Sequence, residues 1–186
     1  MKFTMKLVAV AILCVWLSGC ALQAQPYYPS VDNVSVLKRG GQSVARLGGF
    51  DVTSGAKGAT SISLRASSMT SSVGGNYAAY LADALKQELQ LAKRFDPVAA
   101  VEISGVLLGT DVDPAIGTGT GFIEARIVVK KDGQVRYEKT KRGDAHWESS
   151  FAGAVAIPAA QKNYPVVVQR LLNALYSDVD FQNALK

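Results

Sequence analysis

The chain has 186 residues and a formal net charge of +5, with 48% hydrophobic and 19% charged residues. That length suits one domain with a hydrophobic core of its own, and so mild a charge does not indicate nucleic acid as a partner. Both cysteines, Cys14 and Cys20, lie within the first 20 residues. A domain that follows them has no cysteine for a disulfide, a zinc site or a thiol nucleophile.

The first 19 residues have the order of a secretory signal peptide. Lys2 and Lys6 precede the apolar run Leu7–Leu17, which is shorter than the roughly 20 residues of a membrane-spanning helix. Ser18 and Gly19 then supply the small residues that precede a cleavage site. The alternative interpretation is an ordinary secretory signal that happens to contain a cysteine.

Leu17-Ser18-Gly19-Cys20 resembles the bacterial lipobox at each of its positions. The resemblance implies cleavage between Gly19 and Cys20, a diacylglycerol on the Cys20 thiol and a palmitoyl chain on the freed amine. Ala21, rather than an aspartate, follows the cysteine. The lipoprotein sorting rule that comes with the resemblance then implies the outer membrane, with the protein facing the periplasm.

Residues Ala21–Asn33 are polar and contain Pro26 and Pro29, so they are predicted to form a flexible tether without regular structure. The predicted organisation is a signal peptide over 1–19, the lipidated cysteine and tether over 20–33, and a single periplasmic domain over 34–186. Short β-prone runs and glycines indicate strands at the start of this domain. They are Val34–Leu37, Val44–Leu47 and Ile62–Arg65.

Two helices are predicted from apolar residues at spacings of three and four. The first runs from Tyr77 to Phe95, with Asn76 as its N-cap, after a predicted loop over Ser67–Gly75. The second runs from Pro165 or Val166 to Tyr176, and Asp180–Leu185 adds a closing turn.

Between the helices, the sequence predicts a strand over Val98–Leu108, a loop over Asp111–Gly121 and a β-hairpin. The hairpin arms are Phe122–Lys130 and Gln134–Lys141, joined by Asp132-Gly133, which favours a type I′ turn. Gly143–Ile157 is predicted to be irregular. The expected fold is a two-layer α+β domain in the order ββ-α-βββ-α, with two main helices on one face of a mainly antiparallel sheet.

Catalytic and metal-binding patterns are weak in this sequence. His146 is the single histidine of the sequence. It could be catalytic in a Ser-His-Asp arrangement with a serine and either Asp144 or Asp111. The sequence, however, contains no GxSxG motif that would present such a serine. An all-oxygen cation site at Asp111 and Asp113 lacks the later carboxylate of a calcium-binding loop. We therefore expect no enzyme activity, no metal and no cofactor.

Two further stretches each have a structural and a functional interpretation. Gly117–Gly121 leads into a strand rather than a helix, which favours a strand connector over a phosphate-binding loop. The basic stretches Lys130-Lys131 and Lys139–Arg142 fit a solvated hairpin face, and anionic headgroups or an acidic partner are the alternative.

The order of lipobox, short tether and ββ-α-βββ-α resembles small outer-membrane lipoproteins of the YajG type. It is also similar to the auxiliary lipoproteins of ABC-type envelope transport systems. The resemblance implies a membrane-anchored, non-enzymatic module that binds envelope proteins of a transport, secretion or motility assembly, and it leaves homo-oligomers open. The alternative is a lipoprotein that holds a lipid, lipopolysaccharide or glycan between its sheet and helices.

Overall fold

The computed structural model describes residues 21–186, and the elements below lie within that range. The strands are β1 (Ala21–Gln23), β2 (Arg46–Lys57), β3 (Ser61–Leu64), β4 (Ser67–Thr70), β5 (Val101–Asp113), β6 (Gly117–Lys131) and β7 (Gln134–Ser149). The helices are α1 (Val31–Arg39), α2 (Tyr77–Leu91), α3 (Gly153–Tyr176) and α4 (Val179–Ala184). The signal peptide and Cys20 lie outside the described residues.

The strands form a four-stranded sheet in the order β2-β5-β6-β7 and a three-stranded sheet in the order β1-β4-β3. The pairs β5–β6, β6–β7 and β3–β4 are antiparallel, whereas β2–β5 and β1–β4 are parallel. The parallel pair β2–β5 arises because the chain passes through the small sheet and α2 between these two strands. The predicted α+β class with a mainly antiparallel sheet is confirmed.

One face of the large sheet is covered by helices. Helix α2 packs on β2 and β5, α3 packs on β6 and β7, and α1 packs against both helices. On β6 the side chains of Ile123, Ala125 and Ile127 point into this core, while Glu124 and Arg126 between them face outward. The alternation predicted from the sequence therefore separates a buried face from a solvent-facing one.

The predicted hairpin exists and is longer than expected. Asp132 and Gly133 both have positive φ, as a type I′ turn requires, and join β6 to β7. The predicted loop over Asp111–Gly121 is wrong, because β5 continues to Asp113 and β6 begins at Gly117. Gly119 allows this extension because the Trp147 ring of β7 occupies the space of the missing side chain.

The segment predicted to be a tether and a first strand is folded differently. Residues 21–23 pair with β4, and Val34–Leu37, predicted as a strand, lies within α1. The Ser30 hydroxyl caps α1 by accepting from the Asn33 N–H at 3.3 Å, and Lys38 lies in its last turn. These capping and dipole terms outweigh the β-propensity of the valines.

Three other boundaries differ from the sequence predictions. Helix α2 ends at Leu91 rather than Phe95, because Lys93 adopts a left-handed φ of 59°. Helix α3 begins at Gly153, so part of the segment predicted to be irregular is helical, and it includes Pro158 and Pro165. Residues Ser67–Thr70, predicted as part of a loop, form β4 at the centre of the small sheet.

Candidate functional site

The lipid-attachment residue predicted from the sequence, Cys20, lies just before the first described residue. The chain enters the folded domain at once, because Ala21 pairs with Ser68 and Leu22 with Met69. The Gln161 side chain of α3 donates a 2.8 Å hydrogen bond to the Gln23 carbonyl. A group attached to Cys20 would therefore be held within one residue, about 3.8 Å of Cα spacing, of this edge of the fold.

The chain from Ala24 to Ser30 is fixed to the helices by side-chain hydrogen bonds. Ala24 and Tyr27 are buried, and the Tyr80 hydroxyl donates to the Gln25 carbonyl at 2.8 Å. The Gln169 amide of α3 donates to the Tyr28 carbonyl at 2.8 Å. These contacts use backbone carbonyls that no neighbouring strand satisfies, and they remove the freedom that a tether would have.

Glu88 is the centre of this attachment. It is fully buried on α2, and its Oε1 accepts hydrogen bonds from the Tyr27 hydroxyl at 2.6 Å and the Ser30 N–H at 2.9 Å. The Asn33 amide donates to the same oxygen at 3.3 Å. Burial raises the pKa of Glu88, and the hydrogen bonds from Tyr27, Ser30 and Asn33 partly offset that rise. The carboxyl joins α1, α2 and the N-terminal segment.

Tyrosine side chains fill the core beside Glu88. The rings of Tyr77 and Tyr80 lie 4.8 Å and 5.3 Å from the Tyr164 ring, and the Tyr27 ring meets Tyr80 edge-on at 6.3 Å. The Tyr164 and Thr110 hydroxyls are 3.1 Å apart. Burial raises the pKa of each of these tyrosines, so they stay neutral at physiological pH. They act as apolar packing groups with satisfied polar ends.

Arg65 joins three separate turns at the edge where Ala21 enters. Its guanidinium donates to the Pro114 carbonyl in the β5–β6 turn, at 3.1 Å from Nε and 2.5 Å from Nη2. It also donates to the carbonyls of Ser150 and Phe151, both at 2.9 Å, in the connection from β7 to α3. Arg65 has a left-handed φ of 53° in the β3–β4 turn, a conformation that these contacts hold.

The candidate catalytic residues are not brought together. His146 lies exposed on β7 opposite Thr120 of β6. Asp144 forms an ion pair with Arg142 at 2.9 Å, and Asp111 forms one with Lys57 at 2.6 Å. Each carboxylate proposed for a histidine-based site thus has a basic partner instead.

The described residues also form no recognisable site for a metal or a phosphate. Residues 21–186 contain no cluster of three or more histidine, aspartate or glutamate side chains placed to hold a metal. Gly117–Gly121 lies in β6, where the Gly121 Cα faces the Val167 side chain of α3. These glycines admit neighbouring side chains and do not open a helix N-terminus.

The predicted basic hairpin face is partly engaged in an internal charge cluster. Lys141 and Lys139 approach an Asp178 carboxylate oxygen at 2.7 Å and 3.1 Å, and the Tyr137 hydroxyl donates to it at 3.1 Å. Burial opposes ionisation of Asp178, yet Lys141, the Asp180 N–H, Lys139 and Tyr137 together hold its pKa well below the usual range. Lys130 and Lys131 lie at the far end of β6, next to the type I′ turn.

The crevices of the domain are open and lie on its surface. Two of them have volumes of about 560 Å³, beside Lys38 and Lys93, and about 380 Å³, beside Lys139 and Asp180. Smaller ones of about 210 Å³ and 160 Å³ flank α1. Charged and amide side chains line three of these crevices, whereas the one of about 210 Å³ is lined mainly by apolar residues such as Val31, Val34 and Leu91. That apolar crevice is smaller than the roughly 300–1,000 Å³ typical of a ligand pocket.

Glu88 and Arg65 were not predicted as important from the sequence. Of the two, Glu88 alone has a sequence pattern that could have indicated its role. Glu88 falls between Leu85 and Ala92 on the apolar face of α2, where a carboxylate needs partners. Its partners come from the segment taken as a tether. The partners of Arg65 are backbone carbonyls, which any residue supplies, so no sequence pattern marks them.

Comparison with family models gives no match to this chain, and comparison with curated protein sequences gives none either. Among solved structures, the fold is similar to protein XCC0632 from Xanthomonas campestris, of family DUF330. The TM-score is 0.55 at 12% identity, over 89% of this chain and 94% of that one. At this identity the similarity supports the α+β fold alone.

Two other solved structures are more distant. A candidate lipoprotein from Caulobacter crescentus has a TM-score of 0.44 at 12% identity, over 81% of this chain and 93% of that one. The hypothetical protein CT253 from Chlamydia trachomatis has a TM-score of 0.40 at 9% identity, over 72% of this chain and 98% of that one. Within residues 21–186, none of the helices is both long and apolar enough to span a bilayer.

Proposed function

We propose that this protein is a lipid-anchored periplasmic binding module of the outer membrane, acting as an accessory subunit of an envelope protein assembly. The observation on which the proposal depends is the lipobox-like Leu17-Ser18-Gly19-Cys20, placed directly before a folded edge that begins at Ala21. A lipid on Cys20 would hold the domain against the membrane without a spacer. The YajG-type and ABC-transport versions of this role remain predictions.

A binding role is favoured over catalysis by the chemistry of the described residues. His146 is exposed and separated from a free carboxylate partner, because Asp144 is paired with Arg142. The buried groups with raised pKa values, Glu88 and its tyrosine neighbours, hold the N-terminal segment and are shielded from solvent. If His146→Ala abolished a hydrolytic activity of the purified protein, the non-enzymatic proposal would be wrong.

The large sheet offers two end strands for a protein partner. Strand β2 contains irregular pairing between Leu47 and Phe50 and between Val52 and Lys57, so its outer edge is interrupted. Strand β7 runs without a partner strand on its outer side for 16 residues, within the described sheet. A long edge strand of this kind is a template for strand addition by another chain.

The alternative, a lipoprotein that binds a lipid or glycan between sheet and helices, has less support. Fully buried side chains fill the space between β5, β6 and the helices, among them Ile103, Ile127 and Leu171. The open, partly charged crevices fit small polar molecules better than acyl chains. Co-purification of a lipid with the intact protein would restore this alternative.

The lipid anchor is tested by metabolic labelling of the full chain with an alkynyl fatty acid, followed by membrane fractionation. The unsubstituted protein is expected to incorporate label and to sediment with outer membranes. Cys20→Ser should lose both properties, while the matched control Cys14→Ser, within the signal, should keep them. Ala21→Asp should keep the label and move the protein to the inner membrane. Membrane association of an unlabelled Cys20→Ser protein would contradict the proposal.

The accessory role is tested by crosslinking in intact cells and purification of the tagged protein from solubilised envelopes. At least one envelope protein is expected to co-purify reproducibly with the unsubstituted chain. A photo-crosslinking residue in place of the exposed Thr140 of β7 should capture that protein, and one in place of Val98, in the turn before β5, serves as the control position. Absence of any reproducible partner would contradict the accessory role.

A further inference from the structure

We infer that one end of this domain is built to rest in the surface of the bilayer that holds the Cys20 lipid. The contact surface consists of Ile116, Phe151 and Val155, arranged around Arg65, and is called here the anchor-side surface. The inference rests on the proposed lipid anchor and adds to it which residues meet the membrane and how the domain is oriented.

Large apolar side chains are exposed at this end of the domain. Ile116 is 67% exposed in the β5–β6 turn, Phe151 is 80% exposed before α3, and Val155 is 58% exposed in the first turn of α3. Leaving a phenylalanine and an isoleucine in water gives up the favourable free energy of burying each side chain. A group of such residues at one end of a domain indicates a surface that is covered in the working protein.

The turns that carry these residues are held together at one end of the domain. Arg65 binds the Pro114, Ser150 and Phe151 carbonyls, which brings the β3–β4 turn, the β5–β6 turn and the start of α3 together. The outward-facing residues are therefore held by a guanidinium and not left on loose loops. A fixed apolar surface can insert at a defined angle, whereas mobile loops would not set an orientation.

The chain that follows Cys20 enters the domain at the same end. Ala21 pairs with Ser68 in β4, three residues beyond Arg65 in the chain. Because β1 and β4 are parallel, the N-terminal end of β1 at Ala21 lies on the side of the β3–β4 turn. Acyl chains on Cys20 would thus enter the bilayer beside Phe151 and Val155, and the domain would have little freedom to turn another side to it.

This end of the domain carries few charges. The segments that β1 pairing and the contacts of Arg65 bring together here, residues 21–23, 66–70, 114–117 and 149–155, contain no charged side chain. The basic Arg65 lies between these segments, and the acidic Asp113 and Glu148 come directly before two of them in the sequence. At the opposite end of the sheet lie Lys130, Lys131 and Asp132. Apolar residues with few charges suit the boundary between headgroups and acyl chains.

The orientation can be measured with single nitroxide labels. The mature chain would have Cys20 as its single cysteine, and its acylated thiol would not react, so each introduced cysteine is labelled alone. Test positions are Ile116→Cys, Phe151→Cys and Val155→Cys. Matched controls are the exposed valines at the other end, Val98→Cys and Val135→Cys, about 40 Å away along β5.

Each lipidated variant is reconstituted in vesicles of phosphatidylethanolamine and phosphatidylglycerol, and the accessibility of the label to oxygen and to a nickel chelate is compared. Labels at 116, 151 and 155 are expected to have an oxygen-to-nickel ratio several-fold above that of the controls. Thermal unfolding first confirms that each variant folds like the unsubstituted protein.

The outcomes separate the two proposals. If the protein floats with the vesicles and the three test labels are as water-accessible as those at 98 and 135, the anchor-side surface is refuted while the lipid anchor stands. If the purified chain has no lipid and does not float, both proposals fail. Deep labels at 98 and 135, with shallow ones at 116 and 151, would reverse the orientation and also refute the inference.

Discussion

The Tyr27 hydroxyl donates a 2.6 Å hydrogen bond to the buried Glu88 carboxylate, across 61 positions of the chain. This bond ties the segment that follows Cys20, the proposed lipid-attachment residue, to the middle of the core helix α2. The Ser30 N–H and the Asn33 amide complete the attachment on the same oxygen. As a result, the domain is fixed relative to its N-terminal edge, and a pull on that edge is transmitted to α2.

Truncation of Glu88 should therefore destabilise the protein strongly. Glu88→Ala leaves the Tyr27 hydroxyl and the Ser30 N–H without an acceptor in a buried place, at about 1–3 kcal/mol for each group. We expect the free energy of unfolding in urea to fall by about 2–4 kcal/mol. The control Glu138→Ala, on the solvent-facing side of β7, should change it by less than about 0.5 kcal/mol. Equal effects would contradict the role of Glu88.

The same carboxyl should make stability depend on pH. Because burial raises the folded-state pKa of Glu88 above its ordinary 4.5, the folded chain binds more protons than the unfolded chain between those two values. The free energy of unfolding then decreases as the pH rises from about 4.5 through the raised pKa. Glu88→Gln keeps an acceptor for Tyr27 but cannot ionise, so its curve should lack this decline. Parallel curves for the two proteins would refute the assignment.

Asp178 should also make the free energy of unfolding depend on pH, but with the opposite sign and at lower pH. Its side chain is 9% exposed, and Lys141 and Lys139 hold its pKa below the ordinary 3.8, against the effect of burial. Stability from Asp178 is thus present above about pH 3.8 and is lost as the pH falls through the folded-state pKa. Asp178→Asn, which can still cap α4, should be less stable at pH 7 and lose less on acidification. Asp180→Asn, at a more exposed carboxylate, is the control, and an identical acid response in both variants would argue against the cluster.

The parts of the fold that were predictable are those with short-range signals. Asp132-Gly133 between two alternating runs predicted the β6–β7 hairpin, and the apolar face through Leu81, Leu85 and Leu89 predicted α2. The error at Val34–Leu37 arose from weighing β-branched residues above the Ser30 cap, although both signals are local. The helical start of α3 around Pro158 was not predictable from propensity, because a proline there removes a backbone hydrogen bond that packing must offset.

The residues of the candidate site also differ in whether a short stretch of sequence marks them. Lipid attachment at Cys20 is a prediction from four consecutive residues, since a processing enzyme would read the sequence itself. The anchor-side surface could not be predicted from the sequence, because Ile116 and Phe151 are 35 positions apart and their turns are joined through Arg65 and backbone carbonyls. Tyr27 likewise lay in a segment whose prolines and amides indicated a tether, and its role depends on Glu88 in a distant helix.

The close approach of α3 to β7 gives a final test of the packing. At Gly143, which has an ordinary β-strand φ, an added Cβ would lie 2.3 Å from the Leu171 nitrogen and 2.5 Å from the Val167 oxygen. Both atoms belong to the helix backbone, so α3 would have to move away from the sheet. Gly143→Ala should therefore lower the free energy of unfolding by about 1–3 kcal/mol or more.

Gly109 in β5 provides the matched control for that substitution. An added Cβ there would meet the Phe122 ring at 3.7 Å, an ordinary contact distance. Gly109→Ala should be neutral or stabilising by up to about 1 kcal/mol, because alanine loses less backbone entropy than glycine on folding. Opposite signs for the two variants in urea unfolding would support a helix seated directly on β7. If Gly143→Ala proved as stable as Gly109→Ala, the helix would not lie that close to the strand.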